Sequence, residues 1–235
     1  MPEPLTVAVA QPRCVDLDVA ANAALHAEAV LRAGARLVVF PELSLTGYDL
    51  AAPAVATDDP RLAPLVDACR STAAVALAGA PLRGEDGREY IATLAVTGEG
   101  AALAYAKMHL HGDEGLRFTP GEKPTVLEVD GWRMGLAVCR DAAVPQHAAE
   151  TAALGIDAYV ASTLYGAGPE QSARRDRHVR ERAVAHGVWV VLSTVAGPSG
   201  EYRKTSGGSG VWSPDGSLVA QAGPEPGAVV GAILG

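Results

Sequence analysis

The sequence predicts an α/β fold, a four-layer α-β-β-α sandwich built as a single domain over residues 1–235. Three observations predict it. Strand and helix patterns alternate at both ends of the chain, hairpin-linked strands fill the middle, and most strands read apolar throughout. Strands without a polar face need cover on both sides, which two packed sheets with outer helices supply.

The elements follow in order. Leu5 to Ala10 reads as a strand, and Asp16 to Ala33 as a helix with apolar spacing at Ala20, Ala23, Ala24, Ala27 and Leu31 behind an acidic start. Arg36 to Phe40 is a buried strand stopped at Pro41, Pro60 to Ser71 a helix, and Ala73 to Ala80 a strand. Tyr90 to Val96, Ala101 to Ala106, Thr125 to Val129 and Trp132 to Val138 are strands on short turns. Asp130-Gly131 between two apolar runs is the strongest of these hairpin signals. Pro145 to Leu154 reads as a helix, Asp157 to Ser162 as a strand and Glu170 to His186 as a long charged helix. Val188 to Val195, Gly208 to Trp212, Ser217 to Gln221 and Ala228 to Leu234 complete the strands.

Composition bounds the function. Hydrophobic residues are 49% of the 235 and charged residues 20%, enough for a large core. Aromatics are only 5%, so that core is built from small aliphatic side chains. A net charge of -8 repels phosphate backbones and anionic lipid, which disfavours nucleic acid and membrane partners. No apolar run reaches membrane-span length, and Met1 to Thr6 lacks the start of a signal peptide, so the expected location is cytoplasmic. Cys14, Cys69 and Cys139 are an odd set of thiols, expected reduced. With no Cys-x-x-Cys pair and six scattered histidines, no metal site is expected.

Three segments put a reactive side chain at the end of a buried strand. In Val38-Val39-Phe40-Pro41-Glu42, followed by Leu43 to Tyr48, the strand delivers Glu42 to a place where desolvation can raise its pKa towards general-base use. In Tyr105-Ala106-Lys107-Met108-His109-Leu110, Lys107 could set an ammonium over a developing oxyanion. His109 reads as a packed or hydrogen-bonded side chain instead. In Gly135-Leu136-Ala137-Val138-Cys139-Arg140-Asp141, a strand runs straight into Cys139, the geometry of a nucleophile elbow. Taken singly, each has a plainer reading: a solvated loop carboxylate, a surface charge, a buried thiol.

Together the three blocks resemble the nitrilase, or carbon–nitrogen hydrolase, superfamily, whose members carry a Glu-Lys-Cys triad in this order. Gln11, Asn22, Glu114, the run Phe118-x-Pro120-Gly121, Gly207-Gly208-Ser209-Gly210, Trp212 and Pro214-Asp215-Gly216 extend the likeness over nearly the whole chain. The resemblance implies the four-layer sandwich, a homodimer or higher homo-oligomer, and no metal or organic cofactor. It implies that Glu42, Lys107 and Cys139 are catalytic. It also implies that Glu114 lines the site, orienting Lys107 or substrate. Tyr48, Arg140 and Tyr165 are further candidates for substrate binding. Tyr165 and Trp189 could equally be packing. The form Cys139-Arg140-Asp141 is similar to the amidase and carbamoylase branches, where nitrile-cleaving members have Cys-Trp-Glu.

Departures from the family pattern are Arg140 itself, Ala142 to Gln146 after the nucleophile, and Ala183-Val184-Ala185-His186 in the late helix. Arg140 could clamp a substrate carboxylate or make a structural salt bridge. The implied activity is hydrolysis of a small linear carboxamide or N-carbamoyl compound. Nitrile hydrolysis, acyl transfer to an amine and a non-catalytic interaction role are the alternatives.

Overall fold

The computed structural model describes residues 2–235. Strands β1 (Leu5–Gln11), β2 (Leu37–Val39), β3 (Val75–Arg83), β4 (Glu89–Thr97), β5 (Gly100–Ala106) and β12 (Ala228–Leu234) form one six-stranded sheet, in the order β12-β1-β2-β3-β4-β5. The second holds β6 (Val126–Val129), β7 (Trp132–Val138), β8 (Ala158–Thr163), β9 (Trp189–Thr194), β10 (Gly210–Trp212) and β11 (Leu218–Gln221), in the order β11-β10-β9-β8-β7-β6. Helices α1 (Val19–Ala33) and α2 (Ala63–Thr72) cover the first sheet; α4 (Pro145–Ala152) and α5 (Pro169–His186) cover the second. A short α3 (Arg140–Ala143) follows β7.

The period of two along each strand sorts side chains between layers. Val7, Val9, Leu37 and Val39 meet Met134, Leu136, Val138, Val160 and Val191 in the core between the sheets. Ala8, Ala10, Val38 and Phe40 point the other way, against Ala23, Ala27 and Val30 of α1. Small residues on the outward face let the helices approach closely, so a chain poor in aromatics still packs four layers.

Several boundaries move for local reasons. The first helix starts at Val19, because Leu17 takes a left-handed backbone (φ 63°) and Asp18 caps the helix by accepting from the Ala21 N–H at 2.9 Å. Strand β3 starts at Val75, because Ala73 ends α2 in the left-handed conformation. Asp130 and Gly131, both at positive φ, form the expected hairpin between β6 and β7. Two elements went unread in the sequence: a 3-10 turn at Gly112–Leu116 and the immediate start of α3 after Cys139. No helix among the described residues is long and apolar enough to cross a membrane.

Two polar residues that carry the resemblance, Gln11 and Asn22, prove to be internal ties. Gln11 Nε2 donates to the carbonyls of Gly223 (2.8 Å) and Glu225 (2.7 Å) while its Oε1 accepts from the Ser209 N–H, joining β1 to the closing segment. Asn22 donates to the carbonyls of Val15 and Leu45 and accepts from the Val15 N–H. Buried amides satisfied in this way tie the loops together without leaving a polar group unpaired.

Candidate active site

Parallel strands end on one side of a sheet, and that side is where loops can gather reactive groups. Strand β2 ends before Pro41-Glu42, and β7 ends at Val138, one residue before Cys139. The antiparallel β5 delivers Lys107, whose N–H bonds to the Ile91 carbonyl at 2.8 Å.

The Glu42 loop is held from below. Ser44 donates its hydroxyl proton to His26 Nε2 (2.9 Å) and accepts from the Gly79 N–H (3.2 Å). His26 Nδ1 in turn donates to the Asn22 carbonyl at 2.6 Å, which fixes the tautomer. Burial drives the His26 pKa down to about 4, so the ring is neutral. Gly79 matters here because a Cβ would lie 2.4 Å from the Leu43 N and 2.7 Å from the Pro41 carbonyl oxygen.

Lys107 is buried between two carboxylates. Its Nζ donates to Glu42 Oε1 at 2.7 Å and to Glu114 Oε1 at 2.6 Å. Glu114 also accepts from the Tyr48 hydroxyl at 2.5 Å and, through Oε2, from the His111 N–H at 2.7 Å. The 3-10 turn that the sequence did not reveal is therefore the device that lowers Glu114 onto Lys107. Glu42 Oε2 is buried with no hydrogen-bond partner, and Glu42 and Cys139 lie close enough to perturb each other electrostatically.

These neighbours set the protonation states. Burial raises the Glu42 pKa first, Lys107 opposes that rise, and Glu114 adds to it; the result lies above the ordinary carboxylate range. Burial pulls the Lys107 pKa down, but Glu42, Cys139 and Glu114 together outweigh it, and the amine stays an ammonium. Burial and then Glu42 push the Cys139 thiol up, against Lys107. The resting sulfur is thus protonated beside a carboxylate of raised basicity.

Cys139 occupies a strained backbone position (φ 47°, ψ -97°) between β7 and α3. A non-glycine residue there costs on the order of 1–3 kcal/mol, which the surroundings must hold. They do so through Asp141, whose fully buried carboxylate accepts from the Val138 N–H (3.1 Å), the Tyr105 hydroxyl (2.8 Å), and both the N–H and Nδ1 of His109 (2.8 and 2.9 Å). The Cys139 N–H is taken by the Ser162 carbonyl at 2.9 Å. Arg140, as the first residue of α3, keeps an N–H without an intrahelical acceptor.

Above Cys139 lies a cavity of about 300 Å³. Tyr48, Arg140, Tyr165, Arg174, His178 and Tyr202 are among the side chains that line it. Three of the expected substrate-binding residues therefore reach it, whereas Glu114 lies beneath the floor on Lys107. Trp189 stands at the start of β9, the opposite end from the cavity, and packs against the inter-sheet core. Arg140 makes no ion pair within 4.0 Å among the described residues, so the structural salt bridge considered for it is absent. The sequence reading missed Gln171, Arg174 and His178 of α5, whose helical pattern says nothing about which loop the helix will overhang.

Residues 6–233 match the family model described as carbon-nitrogen hydrolase. The chain belongs to the carbon-nitrogen hydrolase family. Among curated proteins, this carbon-nitrogen hydrolase is 31% identical over 226 residues to a hydrolase in the pqqF 5' region of Pseudomonas protegens, covering 92% of this chain and 78% of that one. It is 31% identical over 204 residues to an (R)-stereoselective amidase of a Pseudomonas species, covering 85% and 73%. Solved structures of an amidase from Nesterenkonia sp. AN1 superpose on it with TM-score 0.85 at 28% identity, over 98% of this chain and 90% of that one. One holds butyramide, and another carries the acetamide moiety of fluoroacetamide added to its active-site cysteine. The expected α/β architecture of two stacked sheets with flanking helices is the one these amidases share.

Proposed function

We propose that the protein is an amidohydrolase that cleaves the C–N bond of a small linear carboxamide or N-carbamoyl compound through a thioester on Cys139. The observation that carries this reading is the convergence of Glu42, Lys107 and Cys139 under one cavity, with a protonated thiol beside a carboxylate of raised basicity.

Glu42 accepts the thiol proton as Sγ attacks the amide carbon, because the thiolate is the competent nucleophile. The carbonyl oxygen becomes an oxyanion, held by Lys107 Nζ and the Arg140 N–H, each well-placed donor worth about 3 kcal/mol. Collapse breaks the C–N bond, and ammonia or an amine leaves with the proton from Glu42. Water then gives a proton to Glu42 and its oxygen to the thioester carbon; the carboxylic acid departs and Cys139 recovers its proton. Glu114, tied to Tyr48, keeps Lys107 aimed at the oxyanion.

Ammonia release from small amides, N-carbamoyl amino acids and nitriles, run with wild type and Cys139→Ala, tests the reading. Amide or carbamoyl turnover that vanishes in the variant supports it. Consumption of nitriles alone would make the protein a nitrilase with the same triad, and no turnover at all would favour a non-catalytic role. The same reading takes residues 1–235 as one domain that assembles as a homodimer or larger, measurable by light scattering.

A further inference from the structure

The cavity over Cys139 has an unusual electrostatic lining for so acidic a chain. Its two permanently charged side chains are both arginines: Arg140, next in sequence to Cys139, and Arg174, on α5. No carboxylate lines it, although the chain carries 27 acidic residues against 19 Lys and Arg. Glu42 and Glu114 sit below the floor, each already bonded to Lys107. Among the described residues, neither Arg140 nor Arg174 enters an ion pair within 4.0 Å, whereas Arg36, Arg61, Arg117 and Arg133 are all so engaged. The other polar side chains of the lining carry no negative charge to offset the pair: Gln171, the phenols of Tyr48, Tyr165 and Tyr202, His111, and His178, whose charged form burial and the nearby Arg174 disfavour.

We infer that Arg140 and Arg174 form an anion-binding wall, and that the substrate is an amide carrying a carboxylate on a short aliphatic spacer. This rests on the amidase reading and narrows it. A guanidinium binds a carboxylate bidentately through a rigid fork of donors, so two of them fix orientation as well as affinity. At about 300 Å³ the cavity is at the small end of ligand sites, which keeps the carboxylate near the scissile carbon. Such a substrate places its negative end on the arginines and its carboxamide over Sγ, with Glu42 and Lys107 beneath.

The test compares kcat/KM for succinamate and glutaramate with that for the neutral butyramide and valeramide. Wild type is expected to prefer the carboxylate amides by roughly tenfold or more, chiefly through KM. In Arg140→Gln/Arg174→Gln that preference is expected to collapse towards unity, and in Arg140→Lys/Arg174→Lys to be partly kept. Equal or better use of the neutral amides by wild type, or a preference that survives in the Gln variant, overturns the inference and leaves the amidase reading standing. If wild type turns over none of the four, the amidase reading falls for these substrates. Calorimetric binding to Cys139→Ala then decides the wall alone. Tighter binding of glutaramate than valeramide, abolished by the two Gln substitutions, sustains it; equal binding overturns it.

Discussion

Asp141 Oδ1 accepts from both the backbone N–H and the ring Nδ1 of His109, at 2.8 and 2.9 Å, and so fastens the segment that carries Lys107 to the turn that carries Cys139. The other oxygen holds the Val138 N–H and the Tyr105 hydroxyl. Tyr105 continues to His147 Nε2 (2.9 Å), and His147 Nδ1 to the Tyr159 hydroxyl (2.9 Å). Because Tyr105 donates to Asp141, His147 Nε2 donates to the Tyr105 oxygen and the Tyr159 hydroxyl to His147 Nδ1, a relay that ends on one buried carboxylate.

Asp141→Asn turns an amide –NH₂ towards donors that need an acceptor. Leaving buried donors unpaired costs about 1–3 kcal/mol each, so a loss of roughly 2–4 kcal/mol in unfolding free energy is expected. Because the same bonds set the Lys107–Cys139 spacing, kcat should fall in the variant even at temperatures where it stays folded. Urea denaturation and steady-state kinetics on the same preparation measure both.

Much of this was legible in the sequence, and the reason is local. Glu42, Lys107 and Cys139 each follow a strand, and strand ends can be read from apolar runs and from Pro41. Asp141 was visible as part of a pattern, but not as a hub, because Tyr105 and His109 lie 36 and 32 residues away, on β5 and the loop after it. Arg174 and Gln171 were invisible for a related reason. Their place over Cys139 depends on how α5 docks on the second sheet, and a run as charged as Glu170 to His186 reads simply as a solvated helix.

The raised pKa of Glu42 has a consequence for the pH profile. In its proposed role Glu42 acts as a base only when deprotonated, so kcat/KM should fall as pH drops through a value above the ordinary carboxylate range. Glu42→Gln removes the base and is expected to lower kcat by about 10²–10⁴-fold. A pH profile of wild type with its acid limb at the position of an ordinary glutamate would contradict the assignment of Glu42.

Gly79→Ala tests how the Glu42 loop is seated. The added Cβ would meet backbone atoms of Leu43 and Pro41 at 2.4 and 2.7 Å, and backbone cannot step aside as a flexible side chain can. Overpacking of this kind costs roughly 1–3 kcal/mol and displaces the loop. Thermal melting should show the loss, and activity should drop further than melting alone explains.

His26 makes stability depend on pH. Its folded pKa, about 4, lies below the ordinary histidine value of 6.5, so the unfolded chain binds the proton more readily. The contribution is complete above about pH 6.5 and is lost as pH falls towards 4, up to ~3 kcal/mol for a gap of this size. Urea midpoints followed across that window for wild type and His26→Gln should converge as the pH is lowered, and parallel curves would exclude the effect.

In the proposed mechanism Cys139 carries the acyl group during turnover. Rapid acid quench of the protein with a turned-over amide, followed by intact-protein mass spectrometry and peptide mapping, tests it most directly. The expected result is a mass increase equal to the acyl group, confined to the peptide bearing Cys139 and absent from Cys139→Ala. Amide hydrolysis that continues in Cys139→Ala, or an acyl group found on Cys14 or Cys69 instead, would contradict it.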